Sequence, residues 1–422
     1  KGPLGGLCIL RGCMPTKTIL RSSDILALIR RAKEFGLSAL NPSADLSLIN
    51  DRKTRLIDEF ANYRIEQLKD PKFTLIEEHG SFISPYKLVA GKRILSAENF
   101  IIATGSKVAE FPIPGLAEAG FFTSDDILEL RKIPKSMIIL GAGPVAVELA
   151  QFFCRIGTQT TLIQRSNHIL SKVDEDLSRP LEARFREEGM EVYTGTKLKR
   201  VEKSRHGRTI FFSHKGKEQS ITADEILQAL GRQPNIDQLN LSAASVKVNQ
   251  GRIEVDQEMR TNIPHIFAVG DVNGLHEIVH IAIEQGEIAA HNATQKDIRQ
   301  FDERLKLNIT FTDPTVASVG LSEKECEKLN ISYLEASYPF GDHGKSLCMG
   351  EIHGHVKLLC SVDNGEILGA HVVGPEAGEI IHQMVTLMYF RGTVKDLIKT
   401  PHYHPTLSEI FTYPAEELMK KM

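Results

Sequence analysis

Two cysteines near one end of this 422-residue chain and a histidine–glutamate pair near the other are the residue types most able to do chemistry. In "LCILRGCMPTK", Cys8 and Cys13 stand five positions apart, ahead of a proline and an apolar-periodic run. That run reads as a helix, and a thiol at a helix start is a candidate nucleophile because the amide dipoles there favour the thiolate. In "HYHPTLSE", His404 precedes Glu409 closely enough for a turn to bring carboxylate to imidazole and hold its tautomer. At this level the cysteines are a structural pair, a metal clip or a redox couple, and His402 with His404 are metal ligands or surface groups. Cys8-x4-Cys13 does not have zinc-knuckle character, so no metal centre is expected.

A third signal lies between them. Gly141, Gly143 and Ala146 in "LGAGPVAVE" fit G-x-G-x-x-G/A, placed after an apolar strand, "SMIIL", and at the opening of a helix. In that context glycines let the backbone approach a pyrophosphate, and the helix N-terminus stabilises its charge. An NAD site calls for an acid at the end of the next strand, about 20 residues on. Gln164 followed by Arg165 stands there instead, which removes a repulsion against a 2′-phosphate and supplies a guanidinium, so the cofactor reading leans to NADP.

The elements that must position these groups are legible in outline. From Pro15, suited to a first helical turn, apolar positions recur at helical spacing towards a stop at Gly36. A second helix is expected over roughly residues 47–68, and "FTLIEEHGSFIS" and "KLVAGKRILSAENFIIATGS" read as short strands. Residues 115–134 look like a connector. From Ser136 a βαβ unit begins, and "IPHIFAVGDVNG" adds one more apolar strand ending in Gly-Asp. From Leu307 antiparallel strands, with a turn at Asp363-Asn364-Gly365, give way to helices.

Composition bounds the rest. With 41% hydrophobic and 25% charged residues the chain can build two or three domain cores. A net charge of -3 gives no reason to expect nucleic acid or an anionic membrane as partner. Neither a membrane-spanning run nor signal-peptide order is present, so the cytoplasm is the expected compartment. Cys154, Cys326, Cys348 and Cys360 are scattered, and burial as small apolar residues is expected for them.

Taken together, "GGLCILRGCMPTK", "IIATGS", "LGAGPVAVE", "LGRQPN", "IFAVGDVNG", "FTDPTVASVGLSE" and "HYHPTLSE" resemble the flavoprotein pyridine nucleotide-disulfide oxidoreductases. That group contains dihydrolipoamide dehydrogenase, glutathione reductase and mercuric reductase. The resemblance implies an α/β fold with two Rossmann-like nucleotide-binding domains, the first N-terminally truncated, plus a C-terminal α+β dimerisation domain. Implied boundaries are 1–114 and 236–306 for FAD, 115–235 for NAD(P) and 307–422 for the interface. It implies FAD and NAD(P) as cofactors, a homodimer, and a small-molecule or protein-bound disulfide or dithiol as substrate. It implies that Cys8 is the interchange thiol, that Cys13 is the thiolate against the flavin, and that His404 and Glu409 reach the cysteines of the other subunit. Lys17 is implied to lie at the flavin's reactive edge and pair with Glu148. Asp271 is implied to bond the ribityl chain, with His280, Gly80, Thr104, Gly105, Ser106 and Gly231 as further cofactor-lining positions.

The departures are also informative. The family's own flavin fingerprint precedes its cysteines, and this sequence begins after that point, so an N-terminal fragment is the expectation. Leu10 and Arg11 replace a more common Asn-Val pair. The ending "EELMKKM" lacks the cysteine pair usual in mercuric reductases, and Ser171 stands where glutathione reductases carry a second basic residue. Dihydrolipoamide dehydrogenase-like activity is the expected function, with an NADPH-dependent glutathione- or mercuric-reductase-like enzyme, or a catalytically impaired nucleotide-binding fragment, as the alternatives.

Overall fold

The computed structural model describes residues 3–422 and is an α/β protein. It divides into two compact units, each assembled from separated stretches of chain. One comprises the described part of Lys1–Pro15 with Thr54–Glu110 and Gly231–Asp302. The other comprises Thr16–Lys53, Phe111–Leu230 and Glu303–Met422.

In the first unit the short strands surround two apolar clusters. Gly80–Ser84, Lys87–Ala90 and Arg93–Ser96 make an antiparallel meander. Phe100–Ile102 pairs in parallel with Ile266–Ala268, and Ser106–Val108 pairs antiparallel with Arg232–Pro234. Phe82, Ile102, Ile253 and Ile266 fill one core, while Phe267, Ile281 and Ala289 fill another under the helix Val279–Thr294. The expected strand through Phe73–Glu78 does not form: this stretch is turn and irregular backbone, and the strand begins at Gly80. Phe73 and Leu75 are exposed, so alternation here has no face to bury.

The second unit is built on a parallel sheet ordered Glu225–Gln228, Ser136–Leu140, Gln159–Ile163, Glu191–Tyr193. Met137 through Leu140 are wholly buried, as a near-continuous apolar run requires when both faces of a parallel strand are covered. The helix Pro144–Ile156 lays Ala146, Val147, Leu149 and Phe153 into that core and stops at Gly157 in the left-handed region. An antiparallel sheet of Thr196–Ser204, Gly207–His214 and Lys217–Ala223 is inserted before the last parallel strand. The C-terminal part is a five-stranded antiparallel sheet backed by the helices Ala377–Tyr389 and Thr412–Lys421. Its core is made by Phe340, Leu358, Val372, Ile381, Phe411 and Leu418. No helix among the described residues is long and apolar enough to cross a membrane.

Candidate active site

The cysteine loop is shaped by one glycine. Cys8 sits in a five-residue helix, Gly6–Leu10, which sequence reading did not anticipate, and Cys13 opens the helix Cys13–Arg30. A Cβ at Gly12 would stand 3.0 Å from the Leu7 carbonyl oxygen and 3.2 Å from the Cys8 Cα. Glycine thus spares the chain a tight contact with the Leu7 and Cys8 backbone just before the second helix starts. Cys8 is half-buried and Cys13 exposed. Of the other cysteines, Cys326 and Cys360 are buried as expected, Cys154 is half-buried, and Cys348 is exposed, contrary to expectation. Burial pushes the Cys154 and Cys326 thiols up to about 11, which leaves them protonated and unreactive.

One turn along that second helix, Lys17 donates to Glu148 Oε2 at 2.7 Å. Glu148 is buried on the helix Pro144–Ile156, and its other oxygen accepts the Phe311 backbone N–H at 2.9 Å. The Lys17 ammonium also lies 4.6 Å from the centre of the Phe311 ring, so a half-buried cation is held by a carboxylate and an aromatic face together.

At the glycine turn the roles of the glycines separate. Gly141 has φ +100°, and a Cβ there would fall 2.4 Å from the Ala229 carbonyl oxygen, so the turn itself demands glycine. Gly143 is the N-cap, and a Cβ on it would meet nothing within 4 Å, so space is left in front of the helix start. Ala146 is buried one turn on. This opening faces the carboxyl ends of the parallel strands, where the strand order reverses around Ser136–Leu140. Gln164, just beyond Gln159–Ile163, turns its Oε1 back to accept the Arg165 N–H at 3.1 Å, and Arg165 is exposed. A cradle open at a helix N-terminus, beside a strand end without an acid, fits a pyridine nucleotide.

The first unit gathers a polar cluster of its own. Ser106 donates to Asp271 Oδ2 at 2.6 Å and accepts from Arg232 Nε at 2.8 Å. Thr104 donates to the Asn235 carbonyl oxygen, and Gly105 takes φ +69° with open space at its Cβ position. Gln285 accepts from the Gly270 N–H and from Asn273, while its own buried Nε2 has no partner. An unsatisfied buried donor beside Gly270 and Asp271 fits the polar chain of a flavin bound there. Gly231 precedes the strand Arg232–Pro234 with φ +132°, Gly80 starts the meander, and His280 is exposed in the first turn of Val279–Thr294.

At the far end of the chain, His404 Nδ1 lies 3.2 and 3.1 Å from the two oxygens of Glu409. Glu409 is buried in the short 3-10 helix Ser408–Phe411 and also accepts the Thr406 N–H. The His404 side chain is 75% exposed, which leaves its other ring nitrogen accessible. His343 is a neighbour that no sequence spacing pointed to: it is wholly buried with Nε2 3.4 Å from Glu409 Oε1. Elsewhere, Asp174, Asp176 and Glu323 converge as a metal site's ligands would, but Lys357 Nζ occupies their centre at 2.7 to 3.1 Å.

Residues 3–286 match the model of the pyridine nucleotide-disulphide oxidoreductases, and residues 307–415 match that of their dimerisation domain. A mercuric reductase of Staphylococcus aureus is 31% identical over 97% of this chain and 75% of its own length. A dihydrolipoyl dehydrogenase of Bacillus subtilis (strain 168) is 32% identical over 97% of this chain and 90% of its own length. The crystal structure of LpdA from Mycobacterium tuberculosis, 24% identical, superposes with a TM-score of 0.88 over 98% of this chain and 92% of its own. With its motifs in order and both family models matched across nearly the whole length, the chain belongs to the pyridine nucleotide-disulphide oxidoreductase family.

Proposed function

We propose that the protein is an FAD-dependent NAD(P)-disulfide oxidoreductase with dihydrolipoamide dehydrogenase-like activity, working as a homodimer. The observation that carries this reading is the intact pair of devices in one family member: Cys8 and Cys13 around Gly12, and His404 held by Glu409. In this reading residues 1–114 and 236–306 serve the flavin, 115–235 the pyridine nucleotide and 307–422 the subunit interface. Bound FAD supplies the two-electron carrier between nicotinamide and the cysteine pair. Asp271, Ser106, Thr104 and Gln285 would hold it in the first unit, and Gly141, Gly143 and the helix start after them would hold the pyridine nucleotide.

The chain's own chemistry then balances as thiol–disulfide exchange. The Cys8 thiolate attacks one sulfur of the substrate disulfide, forming a mixed disulfide, and the departing thiolate takes a proton from His404. The Cys13 thiolate attacks the Cys8 sulfur and expels the second substrate sulfur as a thiolate, which takes a proton from water by way of His404, leaving Cys8 and Cys13 joined as a disulfide. Glu409 keeps His404 in the tautomer that presents its second nitrogen to the reacting sulfur. Gln164 and Arg165 support NADPH as the preferred nucleotide, because no carboxylate opposes a 2′-phosphate there.

The deciding experiment assays the purified protein supplied with FAD, pairing NADH or NADPH with lipoamide or oxidised glutathione. Lipoamide turnover exceeding glutathione turnover is the expected result. A protein that reduces neither disulfide with either nucleotide would sink the enzyme reading.

A further inference from the structure

Glu409 lies between two imidazoles. On its solvent side stands His404 at 3.1 Å, and on its inner side stands His343 at 3.4 Å. His343 ends the 3-10 helix Phe340–Asp342 and precedes the helix Gly344–Met349, from which Ser346 Oγ reaches back to within 2.9 Å of His343 Nδ1. Both His343 and Ser346 are fully buried. The titratable groups facing His343 are Glu409 and His404, with the Tyr413 ring edge-on at 6.2 Å and the Tyr338 ring stacked on Tyr413.

We propose that His343 is a positioning residue for the acid/base pair, a buried imidazole that holds the Glu409 carboxylate in place behind His404. The inference rests on the function proposed above, since it assigns His404 and Glu409 to proton transfer. Burial pushes the His343 imidazole down, so the ring is neutral and carries a single N–H. A lone pair facing a carboxylate oxygen would be repulsive, so the proton belongs on Nε2 and Nδ1 accepts from Ser346. At 3.4 Å the contact to Glu409 is longer than a settled N–H···O bond and orients the carboxylate chiefly through the N–H dipole. Its effect is to draw part of the carboxylate's charge inward, away from His404.

The test compares wild type with His343→Phe, His343→Asn and Ser346→Ala. Two readouts are used: the pH profile of kcat/KM for disulfide reduction, and titration of His404 followed by NMR on isotope-labelled histidine. Removing the inner donor leaves more negative charge facing His404. In His343→Phe the His404 titration and the matching limb of the rate profile therefore move to higher pH, by about half a pH unit. His343→Asn keeps a donor and restores the wild-type position, and Ser346→Ala moves it less, in the same direction. If His343→Phe fails to fold, the Ser346→Ala shift decides the matter. Coincident titrations in all the folded variants would overturn the proposal, whatever their stability, because a merely structural role moves stability and not the titration. His404→Gln is run alongside: wild-type turnover there overturns the function reading, while the NMR titrations still judge His343.

Discussion

Cys8 and Cys13 are close in sequence, and that closeness is why the pair stood out from the chain alone, although the short helix that carries Cys8 did not. Neighbouring residues impose their geometry locally, and Gly12 between them eases the close passage of the chain. Cys8→Ser and Cys13→Ser should each lower disulfide turnover by about a thousandfold or more, because neither hydroxyl can carry the exchange. Steady-state assay of either variant at near wild-type rate contradicts the assigned chemistry. Arg165 was equally legible as a strand-end residue, but its consequence is a matter of affinity. Arg165→Ala should raise KM for NADPH by about tenfold and leave KM for NADH nearly unchanged, the expected effect of losing one charge-assisted contact. Equal changes for both nucleotides would overturn the proposed NADPH preference. His343 was not legible at all: a lone histidine between "PFGD" and "GKS" has no spacing to a site more than sixty positions away. Its role exists only because the five-stranded sheet and the C-terminal helices fold it against Glu409.

Among the elements, the strand–turn–helix around Gly141 announced itself because its pattern is contiguous and each glycine answers a local demand. The Lys357 cluster did not, since Asp174, Asp176, Glu323 and Lys357 come from separate elements and look in the sequence like ordinary surface charges. Lys357 is 1% exposed, and its ammonium is what makes the buried Asp174 tolerable. Lys357→Met should therefore cost about 3 kcal/mol of stability, read by denaturant unfolding, and a cost under about 1 kcal/mol would show that the carboxylates find other partners. His371 lies behind this cluster, and burial, followed by the Lys357 charge, pushes its imidazole down to about 4. The unfolded chain takes up a proton on this histidine near its ordinary value, about 6.5, while the folded protein resists until about 4. The unfolded state thus binds more protons across that window, and stability falls as pH drops through it. Thermal unfolding should show the melting temperature lower at pH 5 than at pH 7, with the drop reduced in His371→Gln. An identical drop in the variant would assign the acid sensitivity to other groups.

For the molecule as a whole, motif order identified the family, because each motif is local and only their sequence along the chain is global. The partition into units was less legible. Thr16–Lys53 joins the unit built from Phe111–Leu230 and Glu303–Met422, since Ile19, Leu20 and Leu46 pack into the core around Phe152, Phe153 and Leu181. Apolar spacing announced those residues as inward-facing but could not say which core would receive them. The proposed dimer places His404 of one subunit at the cysteines of the other, which makes a mixing experiment decisive. Cys8→Ser and His404→Gln homodimers are each inactive in that arrangement. After subunit exchange, each mixed dimer holds one site with both intact groups, so about a quarter of wild-type turnover should return. No recovery after exchange, verified by differently tagged subunits, would place both groups of a site in the same chain.

Glu148 gives its two oxygens to Lys17 and to the Phe311 N–H, so one carboxylate anchors segments 131 and 163 positions away. For anyone recombining parts of this protein with those of a relative, these three places form a single inheritable unit. A crossover between Lys17 and Glu148 that brings in a partner of different length, or one before Phe311 that alters the backbone there, strands a buried negative charge. Chimeras that keep the trio from one parent are the ones to build first.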